Sequence, residues 1–141
     1  MIILDTNVVS EGFRETPHSA VRFWMDAQSH ETLYLCSPVL AEIRFGIALL
    51  PPGRMRTRLQ AGADTLEFDQ YEGRILSFDA RAAAAYAKLA AARRQSGRPV
   101  GLMDGFIAAI ALANNADIAT RDTHGFSDVG LNVINPFDFT P

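Results

Sequence analysis

Five short apolar runs mark this chain, and the stretches between most of them follow helical spacing: Ile2 to Leu4, "LYLCS" (Leu33 to Ser37), "RILSF" (Arg74 to Phe78), "DIAT" (Asp117 to Thr120) and "NVIN" (Asn132 to Asn135). Strands separated by helices call for a mostly parallel sheet covered on both faces, because parallel neighbours need a crossover and a helix fills it. The expected fold class is therefore α/β.

The intervening helices have readable ends. One follows Pro17, with Val21, Trp24 and Met25 at spacings of three and four. Ser37 is the expected N-cap and Pro38 the first turn of "VLAEIRFGIALL", which must stop before Pro51, Pro52 and Gly53. A further helix is expected from Arg54 to about Glu67. Asp79 should cap an alanine-rich helix, with Tyr86, Leu89 and Ala90 on one face, that ends near Gly97 and Pro99. "DGFIAAIALANN" (Asp104 to Asn115) carries Ile107, Ala108, Ala111 and Leu112 on one stripe. No repeat period or linker divides the chain, so residues 1–141 read as a single domain.

A chain of 141 residues buries roughly two-thirds of its unfolded surface, enough for a real core. Apolar residues at 48% and charged residues at 21% exclude a disordered chain. No apolar run approaches the ~20 residues that cross a bilayer, and no basic leader precedes one, so a cytoplasmic location is expected. The single cysteine, Cys36, has no partner for a disulfide and reads as a core residue. The net charge of -3 offers no broad basic footprint, yet twelve of the 13 basic residues are Arg, whose planar fork suits phosphate oxygens. If four of the 16 acids surround a cation, twelve acids face 13 bases, and charge excludes neither an RNA nor a neutral partner.

The acids at the strand ends carry the chemistry. In open α/β sheets the loops at the carboxyl ends of strands form the ligand crevice. Asp5 closes the first run, and Asp122 follows "IAT" across Arg121, so both should face one edge. Asp104 opens a helix after a loop containing Gly97, Pro99 and Gly101; it serves either as the helix cap or as a carboxylate in the same crevice. Glu42 lies early in the helix after the second strand, as a solvated position or as a fourth acid, with Gly46 one turn later leaving room beside it. Thr6, Asn7 and Thr120 are placed either for turn chemistry or to bond carboxylate oxygens.

Converging carboxylates need a counter-charge: at ~5 Å and an effective dielectric near 20, each pair repels by about 3 kcal/mol. An all-oxygen donor set suits Mg²⁺ or Mn²⁺, while His18, His30 and His124 lack the paired spacing of a zinc site. A hard cation at this edge would polarise a phosphodiester and activate water, with one-ion and two-ion schemes both open.

With these acids placed, the chain resembles the PIN-domain ribonucleases, and among them the VapC-like toxins of type II toxin-antitoxin pairs, especially the FitB-like branch. The likeness spans almost the whole chain and rests on "ILDTNVVSE", "ETLYLCSPVLAEIRFGIALLPPG", "GRPVGLMDGFIAAIA", "ATRDTHGF" and "VINPF" in that order. It places the acidic quartet on Asp5, Glu42, Asp104 and Asp122 as metal ligands and catalytic acids, with Thr6, Asn7 and Thr120 in support. It implies a five-stranded parallel sheet, Mg²⁺ with Mn²⁺ as substitute, RNA as substrate, a homodimer or larger assembly, and inhibition by a VapB-like antitoxin.

Two other functions share part of this pattern. Haloacid-dehalogenase-like phosphatases also end strand one in Asp, but need a second Asp two residues on, where this chain has Asn7. A protein that binds RNA and antitoxin without cutting would not need all four acids. Two further expectations concern surfaces: Phe45, Ile47, Leu49, Leu50 and Leu59 exceed one helix face and either pack the core or form a groove for an amphipathic antitoxin segment. Arg14, Arg98 and Arg121, near loops at the acidic edge, are candidate phosphate contacts.

Overall fold

The computed structural model describes residues 1–141 and contains a five-stranded parallel sheet with six α-helices. The strands are β1 (Ile2–Leu4), β2 (Leu33–Cys36), β3 (Ile75–Leu76), β4 (Asp117–Ala119) and β5 (Val133–Ile134), in the order β3-β2-β1-β4-β5. Registers of Ile3 with Tyr34 and with Ile118 put β1 at the centre. Consecutive residues Ile3 and Leu4, Leu35 and Cys36, and Ile118 and Ala119 are all buried, so both faces of the sheet are covered.

The helices are α1 (Thr6–Val9), α2 (Ser19–Ala27), α3 (Ser37–Ala48), α4 (Arg54–Thr65), α5 (Ala80–Gln95) and α6 (Leu102–Ala113). Asp79 Oδ1 accepts from the Ala82 amide at 2.9 Å, which fixes the start of α5 as its sequence indicates. Ile107 through Ala111 are fully buried, and α6 packs against α5 as the main helix pair of the core. No helix is long and apolar enough to cross a membrane.

Several local expectations are corrected. Ser37 lies inside α3, whose N-cap is Cys36; the Ser37 hydroxyl instead accepts from the Phe78 amide. The third strand shrinks from five residues to two, since only Leu35 and Cys36 offer it a parallel partner. The helix over 54–67 ends at Thr65 and widens into a π turn, Leu66–Gln70. The residues after β1 enter a one-turn helix directly, because Asp5 is its N-cap.

The chain leaves β1 toward β2 and β3, then crosses back to place β4 on the other side of β1. That reversal opens a crevice beyond the carboxyl ends of β1 and β4, which is where open α/β sheets bind ligands. Asp5 follows β1, and Thr120 and Asp122 follow β4.

Candidate active site

Asp5 is buried at 5% exposure and held from three directions. Its Oδ1 accepts from the Thr6 amide at 2.8 Å, capping α1. Its Oδ2 accepts from the Thr120 hydroxyl at 2.7 Å and from Asn7 Nδ2 at 3.3 Å. The Thr120 oxygen itself accepts from Asn7 Nδ2 at 3.2 Å and from the Asp122 amide at 3.0 Å. Its one hydroxyl proton is therefore committed to Asp5. Burial raises the Asp5 pKa, the Thr120 and Thr6 hydrogen bonds oppose that rise, and the charge of Asp122 adds to it.

Glu42, half-buried on α3, accepts from the Thr6 hydroxyl at 3.0 Å. Thr6 thus spans two acids, its amide on Asp5 and its hydroxyl on Glu42. Asn7 plays the matching part on the other side, giving Nδ2 to Asp5 and accepting the Arg121 amide on Oδ1 at 3.1 Å.

Asp104 occupies the first turn of α6, but Gly101 is the N-cap and no side chain caps that helix. The capping alternative for Asp104 is thereby removed. Its half-buried carboxyl is pushed up to about 6, first by burial and then by the charges of Asp5, Asp122 and Glu42. All three other acids of the quartet act on this one group.

Asp122 is exposed, with Oδ1 accepting from the Gly125 amide at 2.9 Å. A β-carbon added to Gly125 would stand 2.7 Å from Asp122 Oδ2 and 3.2 Å from Asp104 Oδ2. Those two oxygens are therefore at most about 6 Å apart, where like charges repel by about 3 kcal/mol at an effective dielectric near 20. Glycine at this position leaves the pair room to share a crevice.

Gly125, three residues after Asp122 in "ATRDTHGF", and Arg93, outside every acidic motif, also belong to the site. Arg93, on α5, is 7% exposed and has no carboxylate partner. It donates from Nε to the Arg98 carbonyl at 2.6 Å, and from Nη1 to the carbonyls of Ser127 at 2.8 Å and Gly125 at 3.5 Å. One guanidinium thus ties the loop before Asp104 to the loop after Asp122. Its spacing of seven from Tyr86 and four from Leu89 marks it as part of the inner face of α5.

The donor set is all oxygen and its like charges call for an offsetting cation, which suits a hard divalent ion by chemistry. As placed, no three His, Cys, Asp or Glu side chains are grouped closely enough to hold one together. Bringing three carboxylates onto one ion would therefore require side-chain adjustment, or ligation by fewer acids with water completing the shell.

Other candidates fall away from the crevice. Cys36 is fully buried and burial pushes its thiol up to about 12, leaving it an inert core residue. His30 faces Arg74, and the ring of His18 lies against Phe137. Arg14 pairs with buried Glu11 at 3.0 Å, and Arg98 with Asp128 at 2.5 Å, so both are engaged by carboxylates.

Beside Glu42 lies a groove of about 310 Å³, lined among others by Thr6, Ile47, Leu50, Met55 and Leu59. Ile47 is buried, while Phe45 and Leu49 stand 66% and 69% exposed. The apolar surplus of α3 and α4 is thus divided between core and surface.

A family model described as "PIN domain" matches residues 2–131. The chain is 49% identical over 138 residues to the plasmid stability protein StbB of Pseudomonas syringae pv. tomato, covering 98% of this chain and 99% of the relative. It is 46% identical to VapC ribonuclease Y4jK of Sinorhizobium fredii over the same shares of each chain. Toxin FitB of Neisseria gonorrhoeae is 38% identical over 97% of this chain and 99% of its own. The solved structure of FitAcB from that organism superposes with a TM-score of 0.90, at 38% identity, covering 99% of this chain and 100% of the other.

Proposed function

Since this chain belongs to the PIN-domain family, we propose that it is a cytoplasmic, metal-dependent endoribonuclease, the toxin of a toxin-antitoxin pair. The observation that carries the reading is the approach of acids from separate elements, with Asp104 and Asp122 oxygens at most about 6 Å apart at Gly125 and the charges of Asp5, Asp122 and Glu42 adding to burial in raising Asp104. Surface acids placed for solubility spread apart; acids held together at such cost are arranged for a cation.

Asp5, Glu42, Asp104 and Asp122 would hold Mg²⁺, with Mn²⁺ as substitute, through adjustment of their side chains or with water completing the shell. Bound there, such an ion polarises a phosphodiester and lowers the pKa of water. The protein's own residues supply the rest. Thr120 and Thr6 fix Asp5 in place and oppose the rise in its pKa that burial causes, because hydrogen bonds to the carboxylate favour its charged form. Thr6 also orients Glu42, and Gly125 orients Asp122 through its amide. Asp104, free of any capping bond, is the acid most able to turn toward a ligand or take up a proton.

The partner we assign is a cognate VapB-like antitoxin. The groove beside Glu42, with Phe45, Leu49 and Met55 exposed near it, suits an amphipathic segment that reaches the acids from α3 and α4. A homodimer, and a larger assembly with antitoxin, is the proposed state.

The test is cleavage of total RNA by protein freed of antitoxin, with EDTA and with each ion restored. Cleavage lost in EDTA, regained with Mg²⁺ or Mn²⁺ and absent in Asp5→Asn supports the reading. Equal cleavage by Asp5→Asn overturns it.

A further inference from the structure

Of the three arginines at the acidic edge, Arg121 alone forms no ion pair. Its guanidinium lies 3.7 Å over the ring of Phe137 and donates to no protein acceptor. Stacking holds the planar group in place while leaving its five N–H donors available. The backbone is fixed as well, because the Arg121 amide bonds Asn7, which in turn bonds Asp5. Phe137 is braced on its own side by the His18 ring, edge-on at 5.2 Å.

Arg121 places one unpaired cation at the rim of the acidic crevice. Buried Glu11 is desolvated, which raises its pKa, yet the His18 amide, the bond and charge of Arg14, and the charge of Arg121 together lower it. Arg14 pairs with Glu11, while Arg121 acts on that carboxylate only through its charge and stays unpaired beside the crevice of acids. A polyanion approaching those acids is repelled unless its neighbouring phosphates find cations alongside.

We propose that Arg121, stacked on Phe137, is a phosphate-binding subsite that anchors single-stranded RNA one or more nucleotides from the cleaved bond. The subsite rests on the ribonuclease reading for its ligand, and on its own geometry for its place. It also explains the pairing of an aromatic with a basic group: the ring fixes the cation, and the cation bonds the backbone without selecting a base.

Equilibrium binding of a fluorescein-labelled single-stranded oligoribonucleotide tests this from about 50 to about 300 mM KCl, with Ca²⁺ filling the acid cluster as an oxygen-ligated ion of looser geometry. Arg121→Ala should weaken binding roughly tenfold at low salt and flatten the log-log salt slope by about 0.7, one phosphate contact on a single strand. Arg121→Lys should keep the slope but bind more weakly, because an ammonium lacks the fork and the flat stack. Phe137→Leu should weaken binding a few-fold with the slope intact. Unchanged affinity and slope in Arg121→Ala would overturn the subsite while leaving RNA cleavage by the wild type untouched. Wild-type protein that binds RNA with this slope but never cuts it with Mg²⁺ would sink the hydrolase reading and keep the subsite. Absence of RNA binding by the wild type would overturn both.

Discussion

Thr120 gives its single hydroxyl proton to Asp5 Oδ2 at 2.7 Å across 115 positions of sequence, and its oxygen receives the Asp122 amide at 3.0 Å. One fully buried side chain therefore sets the relation between the acid after β1 and the acid after β4. Thr120→Val keeps the shape and deletes the hydroxyl, leaving a buried carboxylate oxygen and an amide each short of a partner. Stability should fall by about 1–3 kcal/mol in urea titrations, and, under the proposed metal-ligand role of Asp5, RNA cleavage by about 10–100-fold. Thr120→Ser should recover most of both.

Asp104 predicts an inverted pH dependence of stability. Its folded pKa, about 6, lies above its ordinary value of 3.8, so the native state is favoured by protonation. That contribution is fully present below 3.8 and is lost as pH rises through about 6. Asp104→Asn mimics the protonated acid, and in EDTA at pH 8 it should melt ~2–4 °C above wild type, an effect of about 1 kcal/mol after solvent screening. At pH 4 the two should melt together. A variant less stable than wild type at pH 8 would contradict the crowding of acids on this residue.

Gly125→Ala probes the same crevice from its other wall. The added methyl would stand 2.7 Å from Asp122 Oδ2 and 3.2 Å from Asp104 Oδ2, so a carboxylate must move. The backbone at Gly125 is not in the left-handed region, so strain there is small. Under the proposed ligand roles of Asp104 and Asp122, cleavage should drop at least tenfold, with a change in Tm of no more than ~3 °C. Crystal structures of the variant would show which acid rotates.

Arg93 should act on order in two loops at once. Arg93→Met removes the donors to the Arg98, Ser127 and Gly125 carbonyls while keeping much of the buried volume. The expected cost is about 2–4 kcal/mol. Hydrogen exchange should quicken in residues 97–101 and 122–128 together, with β1 and β2 unchanged. Loss of protection in one loop alone would show that Arg93 does not couple them.

Much of the architecture is legible in local signals. Apolar runs closed by polar residues mark the strands, Asp79 announces α5, and Pro51 with Pro52 ends α3. Asp5 and Asp122 follow from the rule for strand ends, since both depend only on where a strand stops. The one-turn helix at Thr6 is hidden, because Thr-Asn after a strand reads equally as a turn and four residues are too few to show a period. Ser37 and Asp104 are strong capping residues that the structure uses otherwise, since capping depends on where the backbone turns, which tertiary contacts shift by one to three residues. Gly125 and Arg93 carry no acidic signature. The approach of Gly125 to Asp104 and the bonds of Arg93 join segments far apart in sequence, although Gly125 stands only three residues after Asp122 and the helical spacing of Arg93 from Leu89 marks the face it occupies.

Direct titration of Mn²⁺ into antitoxin-free protein, followed by the loss of its free electron-paramagnetic signal at pH 7.5, is the most immediate test that these acids form one cation site. Saturable binding that weakens at least tenfold in both Asp5→Asn and Asp104→Asn, and again below pH ~6 as Asp104 takes up its proton, is the predicted result. Binding absent from the wild type, or unchanged by either substitution, would contradict it.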